Sequence, residues 1–370
     1  MKKDLSVMIK PASSICNMRC KYCFYHSLAD SREVFSYGLM NENTAKNVIE
    51  KAIDFCDGGS VCFAFQGGEP LFAGKEYFEF FVKHADGYSQ GKCKLYYTLQ
   101  TNGTLIDDEW AGFFARNNFL LGVSLDGDTD ANRFRKDAEG NYTFPKVRAA
   151  LDILKRYNVQ FNILTVATGY TAEHIEKIYS YLTSEGFRHL QFIPCLRPFE
   201  DKSESQLYMT TEQYGAFMIR LFNLYVKDYV KGNYVSVRQL DNYVRLFLGQ
   251  KTEQCGVEGH CCHQFVIESN GNVYPCDFYC VDEWLLGNIN DANLDELAQC
   301  ERAKEFIKES LVIPDKCKKC AYFRVCRAGG CKRMRADRDY CEAYRRFFGA
   351  CLPLFRVFLS GEKSADRSNR

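Results

Sequence analysis

The run Cys16-Asn17-Met18-Arg19-Cys20-Lys21-Tyr22-Cys23 places three thiolates within eight residues. A closed 4Fe–4S cluster takes four thiolates. Three leave one iron with a free position, the logic by which a catalytic metal stays open to its substrate. A bidentate amino-carboxylate, such as that of methionine, suits such a position. A structural zinc knuckle is the alternative, and His26 is the nearby residue that would complete it.

A second set of cysteines lies far downstream. Cys255, Cys261 and Cys276 are followed by Cys317-x2-Cys320-x5-Cys326-x4-Cys331 and then Cys341, eight candidate thiolates in all. Eight are enough for two closed clusters, whose natural role is electron transfer or structure. The spacing of Cys317, Cys320, Cys326 and Cys331 also suits a zinc ribbon. The other cysteines (Cys56, Cys62, Cys93, Cys195, Cys262, Cys280, Cys300 and Cys351) read as small buried hydrophobes.

The bulk numbers frame these sites. The chain has 370 residues, long enough for two domains or one large barrel with an extension. Lys and Arg total 48 against 47 Asp and Glu, so no strong field favours nucleic acid or an anionic membrane. Six His rule against an imidazole-rich metal site, and 19 Cys call for either disulfides or metal. Lys10 and Pro11 interrupt the apolar run Leu5–Ile9, which is unlike a secretory signal, and no apolar stretch approaches a membrane span. The expectation is a cytoplasmic protein whose cysteines bind metal. The polar tail Gly361–Arg370 reads as disordered.

The elements that must carry these residues alternate. Apolar runs near Ser6–Pro11, Val61–Gln66, Leu95–Thr101, Leu120–Leu125, Gln160–Val166 and Leu190–Pro194 read as strands. Helical patterns lie between them at Asn43–Phe55, Glu76–Ala85, Asp108–Arg116, Phe144–Tyr157 and Thr171–Glu185, so parallel βα units and an α/β fold are expected. Strand after strand ends in a chemically loaded loop: Cys16–Cys23, Gln66-Gly67-Gly68-Glu69-Pro70, Gln100-Thr101-Asn102-Gly103 and Ser124-Leu125-Asp126-Gly127. In parallel barrels the carboxyl ends of the strands build the active site, which predicts that these loops converge. Further helical patterns cover Thr211–Lys231 and Ser236–Gly249, and Phe265–Tyr274 reads as a hairpin turning at Asn270-Gly271.

The Cys-x3-Cys-x2-Cys run followed by Phe24-Tyr25, with Gly67-Gly68-Glu69-Pro70 one strand later, resembles the radical S-adenosylmethionine superfamily. The resemblance implies a partial (β/α)6 barrel, a 4Fe–4S cluster on Cys16, Cys20 and Cys23, and reductive cleavage of S-adenosylmethionine to a 5′-deoxyadenosyl radical. It implies that Gly67, Gly68 and Glu69 receive the methionine amino group. The downstream cysteines, with Gly287 following Cys276, resemble the SPASM extension of peptide-modifying radical enzymes. That implies one auxiliary cluster on Cys255, Cys261, Cys276 and Cys331 and another on Cys317, Cys320, Cys326 and Cys341. The chain departs from the pattern between Cys326 and Cys331, where four residues stand in place of the usual three. The implied domains are a barrel over 1–197, a helical connection over 198–250, the SPASM-type domain over 251–351 and a terminal segment over 352–370.

Within that group the chain is most similar to anaerobic sulfatase-maturating enzymes, through Ile9-Lys10-Pro11-Ala12-Ser13-Ser14, Cys23-Phe24-Tyr25-His26-Ser27-Leu28, Phe63–Pro70, Leu99–Thr104 and Val273-Tyr274-Pro275-Cys276-Asp277-Phe278-Tyr279. The resemblance implies oxidation of a Cys or Ser of a sulfatase polypeptide to Cα-formylglycine, with a ferredoxin or flavodoxin as low-potential donor. Asp277 is the implied base, although a solvated loop carboxylate is the plain alternative. Tyr25, Gln66, Ser124, Arg135 and Leu196 are the implied cofactor contacts. Tyr25 also suits core filling, Ser124 a strand-end turn, and Arg135 a solvated basic run. Gln100 and Asn102 are candidate substrate contacts, though Asn102-Gly103 also makes a good turn. The rival reading is a related enzyme that crosslinks another peptide or matures a peptide-derived cofactor.

Overall fold

The computed structural model describes residues 3–199, 201 and 203–358, and the tail Gly361–Arg370 lies outside them. The described residues divide into two compact units, one within 3–124, 133–161 and 262–308, the other within 125–132, 162–261 and 309–358. Among the described residues no helix is long and apolar enough to cross a membrane.

The first unit is built on a sheet. Its strands are β1 (Asp4–Lys10), β2 (Ser60–Phe65), β3 (Lys94–Thr101) and β4 (Leu120–Ser124), mutually parallel in that order. Helices Glu42–Cys56, Lys75–Ser89 and Asp108–Arg116 connect them, as the alternating pattern predicts. Asn41 caps the first of these, its side chain accepting from Thr44 N at 2.9 Å, and Val48, Ile49, Ala52 and Ile53 face the core. Aromatic side chains fill the space between sheet and helices. Phe65 meets Phe78 and Phe81 at ring separations of 4.9 and 5.0 Å.

On the other side of β1 stands a hairpin from the cysteine-rich region of the chain. The antiparallel strands β8 (Val266–Glu268) and β9 (Asn272–Tyr274) turn at Gly271, whose φ of 92° suits glycine. The hairpin was legible; its place was not. β8 pairs in parallel with β1, setting Glu268 opposite Lys10, and β10 (Gly287–Asn288) completes the run β10-β9-β8-β1-β2-β3-β4.

In the second unit β5 (Gln160–Ala167), whose first two residues fall to the first unit, pairs in parallel with β6 (His189–Pro194). The helical pattern Thr171–Glu185 is broken. Helices Gly169–Glu173 and Ile175–Ser184 meet at His174, whose φ of −119° leaves the helical range while its ring stacks on Tyr170. The pattern Ser236–Gly249 is shortened, because Ser236–Val237 form a strand, β7, beside β6 before helix Arg238–Leu248 begins. Val237 is β-branched and fully buried, which suits a sheet edge.

The Gly-Gly-Glu-Pro loop braces the cysteine loop through the backbone. Gly68 N donates to Ser13 O at 2.8 Å and Glu69 N to Ile15 O at 2.7 Å. A Cβ on Gly68 would stand 2.1 Å from Ile15 O, so only glycine allows this approach. The Glu69 carboxylate is wholly buried and accepts from Thr101 Oγ1 at 2.9 Å, Asn102 N at 2.8 Å and Leu71 N at 3.2 Å. It thereby ties the loop after β2 to the loop after β3.

Burial lifts the Glu69 carboxyl from 4.5 to about 7, against the hydrogen bonds that favour its ionised form. Between those values the folded chain holds a proton that the unfolded chain has released, so stability falls as pH rises through this window. The loss attributable to Glu69 is roughly 3 kcal/mol once pH passes 7. Chemical denaturation from pH 5 to 8 should show wild type losing this stability relative to Glu69→Gln. Parallel pH profiles would remove the carboxyl from the account.

Candidate active site and cluster-binding cysteines

Cys16, Cys20 and Cys23 lie in the loop between β1 and helix Phe24–Asp30. Two of the sulfurs already accept N–H groups: Cys16 Sγ from Met18 N at 3.3 Å and Cys23 Sγ from His26 N at 3.4 Å. Asn102 Nδ2 reaches Cys16 Sγ at 3.8 Å and Asn17 Oδ1 at 2.9 Å. Burial pushes the Cys16 thiol up to about 11, and the nearby charges of Glu69 and Cys23 add to that rise. Thiols gathered this way ionise together only beside a cationic centre, and donors aimed at sulfur are what a cluster-bound thiolate uses. The donor set fits an iron–sulfur centre with one iron left open.

Residues 134–138 are stitched to the same loop. Arg19 N donates to Lys136 O at 2.8 Å, Lys21 N to Phe134 O at 3.2 Å and Ala138 N to Asn17 O at 3.1 Å. Arg135 is therefore buried rather than set in a solvated basic run, with its guanidinium 5.4 Å from the centre of the Tyr22 ring. Ser124, at the end of β4, is also buried and accepts from Gln100 Nε2 at 3.1 Å. Within the first unit, then, the loops after β1, β2 and β3 and residues Ser124 and Arg135 come together. Gln100 and Asn102 are both engaged in holding neighbours. Leu196 is buried in the second unit.

Asp277 is buried in a 3-10 turn, Asp277–Tyr279, that begins directly after Cys276. It is not the solvated carboxylate that a loop suggests. Lys10 Nζ, wholly buried, donates to Asp277 Oδ1 at 2.5 Å, and Gln66 Nε2 donates to Oδ2 at 2.6 Å. Burial alone would lower the Lys10 pKa. The charges of Asp277, Cys280 and Glu268 outweigh it and hold the ammonium above its ordinary value. The same ammonium stands 3.7 Å over the centre of the Tyr25 ring. The Tyr25 hydroxyl donates to Glu268 Oε1, which also accepts from Arg32 Nη1 at 2.7 Å.

Sequence reasoning missed Lys10, Arg32 and Glu268. Lys10 carried a signal, a lysine inside an apolar strand directly before the cysteine loop, which invites the question of what neutralises it. Arg32 and Glu268 carried none, being ordinary charges in a loop and a hairpin.

The remaining cysteines sort into groups. Cys317, Cys320, Cys326 and Cys341 line one cavity of about 600 Å³ in the second unit. Burial pushes the Cys326 thiol up to about 12, and the other three thiols of this set add to the rise. Cys255, Cys261 and Cys331 also belong to the second unit, where burial and the neighbouring Cys331 raise the Cys261 thiol. Cys276 belongs to the first unit. Among the described residues no three His, Cys, Asp or Glu side chains converge on a single-ion site. Of the cysteines expected in the core, Cys56, Cys93, Cys195, Cys280 and Cys351 are buried, and Cys62 and Cys300 are half-buried. Cys262 is exposed, in an irregular stretch that no helix or strand covers.

Residues 11–182 match the radical SAM superfamily and residues 260–321 the SPASM iron–sulfur cluster-binding domain. The chain is 44% identical over 359 residues to the cysteine-type anaerobic sulfatase-maturating enzyme of Clostridium perfringens strain 13, covering 94% of this chain and 96% of that protein. It is 41% identical to the cysteine-type enzyme of Clostridium novyi, over 94% of this chain and 95% of the relative. The solved structure of native anSMEcpe with bound AdoMet and Kp18Cys peptide superposes with a TM-score of 0.92 at 41% identity, covering 97% of this chain and all of that one. With a radical SAM domain followed by a SPASM domain, the chain belongs to the radical S-adenosylmethionine superfamily, among its anaerobic sulfatase-maturating enzymes.

Proposed function

We propose that the chain oxidises a cysteine of a sulfatase polypeptide to Cα-formylglycine, with Asp277 as the base. The observation that carries this reading is the Asp277 carboxylate, buried beside Cys276 and held by Lys10 and Gln66 at 2.5 and 2.6 Å. Cysteine rather than serine is favoured because relatives above 40% identity are cysteine-type enzymes.

Cys16, Cys20 and Cys23 would hold the open 4Fe–4S cluster. Gly67, Gly68 and Glu69 would receive the amino group of S-adenosylmethionine, Ser124 and Arg135 its ribose and carboxylate, and Tyr25 and Leu196 its adenosyl moiety. When bound, these groups supply a 5′-deoxyadenosyl radical able to take a hydrogen atom from the substrate Cβ. One proton and one electron must then leave for the carbon–sulfur bond to become a thioaldehyde, which water converts to the aldehyde. Asp277 takes the proton. Lys10 and Gln66 each engage one carboxylate oxygen, which fixes the direction in which a lone pair faces the substrate. Gln66 is thus a positioning residue for the base as well as a candidate cofactor contact. Cys255, Cys261, Cys276 and Cys331 would hold one auxiliary 4Fe–4S cluster, and Cys317, Cys320, Cys326 and Cys341 another. Residues 1–197 would form the barrel, 198–250 the connection and 251–351 the SPASM-type domain. A cytoplasmic setting with a ferredoxin or flavodoxin as donor suits thiolates kept reduced for metal.

Incubated anaerobically with reductant, S-adenosylmethionine and a short peptide carrying Cys-x-Ala/Pro-x-Arg, the loaded enzyme should yield the aldehyde by mass spectrometry. 5′-Deoxyadenosine release without that product would favour a different peptide substrate. Metal analysis should give about twelve irons per chain, four for each of three clusters.

Asp277→Asn should bind S-adenosylmethionine normally and lower formylglycine formation by about 100-fold or more. Full activity would exclude Asp277 as the base. Lys10→Met leaves a buried carboxylate without its cation and should cost about 3–5 kcal/mol in denaturation. The double variant Lys10→Met/Asp277→Asn should be more stable than the two single losses together imply, and simple additivity would contradict the pairing.

A further inference from the structure

Two of the N–H groups that aim at sulfur in the cysteine loop, Met18 N and His26 N, belong to the backbone just after Cys16 and Cys23. Another comes from a side chain at the end of β3, the Asn102 carboxamide, whose Nδ2 lies 3.8 Å from Cys16 Sγ. A ring of hydrogen bonds fixes which end of that amide faces the sulfur. Thr104 N donates to Asn102 Oδ1 at 2.9 Å, and a backbone N–H can only donate, so the atom it meets is the carbonyl oxygen. The Thr104 hydroxyl donates to the same oxygen at 2.7 Å and accepts from Asn17 Nδ2 at 2.8 Å. Asn102 Nδ2 closes the ring on Asn17 Oδ1 at 2.9 Å, which spends one of its two protons and leaves the other for Cys16. The turn at Asn102-Gly103 is therefore also the device that aims the donor. An Asx-turn closes on Thr104 N, and Gly103 supplies its φ of 77°. All of these residues belong to the first unit.

We propose that Asn102 sets the reduction potential of the open cluster, with Asn17 and Thr104 as its positioning residues. The inference rests on the reading that Cys16, Cys20 and Cys23 hold that cluster. An added electron places negative charge beside sulfur, and an N–H aimed at sulfur stabilises the reduced form more than the oxidised one. Without it the centre is harder to reduce. Reduction by one electron from a low-potential reductant precedes cleavage of the sulfonium, so the amide governs how readily the cycle begins, not the proton that Asp277 takes. Asn102 meets the Gly-Gly-Glu-Pro loop through a different atom, its backbone N, which donates to Glu69 Oε2 at 2.8 Å. A side-chain substitution removes the donor to sulfur and leaves that backbone bond in place. Reduction potential and S-adenosylmethionine affinity are thus separable at this residue.

The test uses the full-length, fully loaded enzyme under anaerobic conditions, titrated with a low-potential chemical reductant and followed by electron paramagnetic resonance. The open cluster is the one whose signal changes when S-adenosylmethionine is added, since a closed cluster has no free iron position. Asn102→Ser keeps a side-chain oxygen able to accept from Thr104 N but has no amide to reach Cys16. It should disfavour reduction of that cluster about tenfold, a shift of ~59 mV to lower potential for one electron, with iron content and cofactor affinity unchanged. Thr104→Val, which loosens the amide without removing it, should shift the potential the same way by less. Thr98→Val is the control, removing a hydroxyl of the same strand that lies 3.9 Å from Cys62 Sγ, and it should keep the wild-type potential. An unchanged potential in Asn102→Ser with full iron, or an equal shift in the control, overturns the role of Asn102. Should Asn102→Ser lose its iron, Thr104→Val decides, and a wild-type potential there overturns the role. Weaker binding of the Cys-containing peptide in Asn102→Ser at unchanged potential assigns the residue to the substrate and overturns the proposal. A wild-type enzyme with no cluster that responds to S-adenosylmethionine overturns the open-cluster reading instead.

Discussion

An ammonium with no access to water must find an anion, and in this chain the wholly buried Lys10 finds Asp277. Removing two ions from water costs several kcal/mol for each, and a well-formed pair recovers much but not reliably all of it. Stability alone is therefore a poor reason for the pair. What it provides is direction. With Oδ1 held by Lys10 and Oδ2 by Gln66, the carboxylate cannot rotate without breaking a charge-assisted bond. The cost dictates architecture as well. Lys10 is the last residue of β1, so the segment bearing Asp277 has to return to that strand end. It does so because β8 adds to the sheet in register with β1 and β9 turns back beside it.

Around this pair the same strand end collects further buried charge. Glu268 lies opposite Lys10 in the β1–β8 register and is neutralised by Arg32, while Tyr25 donates to the same oxygen and offers its ring face to the Lys10 ammonium. Two cations, two carboxylates and one phenol thus share a buried volume in which opposite charges are matched in number. Each fixes another's rotamer. The Tyr25 position, expected from resemblance to lie near the cofactor, is set by this cluster, since its hydroxyl is committed to Glu268. In the loop after β2 Glu69 has the corresponding role, exchanging solvent for three hydrogen bonds and locking the loops after β2 and β3 together.

What the sequence revealed depended on separation along the chain. The strands, most helices, the hairpin and the three-cysteine loop are written in stretches shorter than twenty or so residues, within reach of periodicity and turn chemistry. The Gly-Gly-Glu-Pro motif was legible as a motif, but the close backbone contact that demands Gly68 was not. Lys10 and Asp277 are 267 positions apart and Arg32 and Glu268 are 236 apart, and no local pattern announces such pairs. Arg135 shows the opposite case. Its basic neighbours suggest a solvated run, whereas backbone hydrogen bonds to the cysteine loop pull the segment inward. The break at His174 was hidden because both helices share one apolar period.

The one departure from the expected cysteine pattern, the four residues between Cys326 and Cys331, is taken up by a tight left-handed turn. Between Cys326 and Cys331, Arg327, Ala328, Gly329 and Gly330 all have positive φ, at 46°, 58°, 86° and 68°. A left-handed stretch reverses the chain within few residues, and Gly330 N closes it by donating to Arg327 O. Two of the four are not glycine, so the turn carries strain that its surroundings must offset. The surroundings are tight. A Cβ on Gly330 would lie 1.9 Å from Gly256 O, and one on Gly259 would lie 2.7 Å from Arg327 Cβ. The turn is thus pressed against residues 256–259, between Cys255 and Cys261. On its two sides the thiols separate, Cys326 among Cys317, Cys320 and Cys341, and Cys331 near Cys261. That division favours assigning Cys326 and Cys331 to different centres, and it counts against a zinc ribbon, which would require both cysteines on one ion.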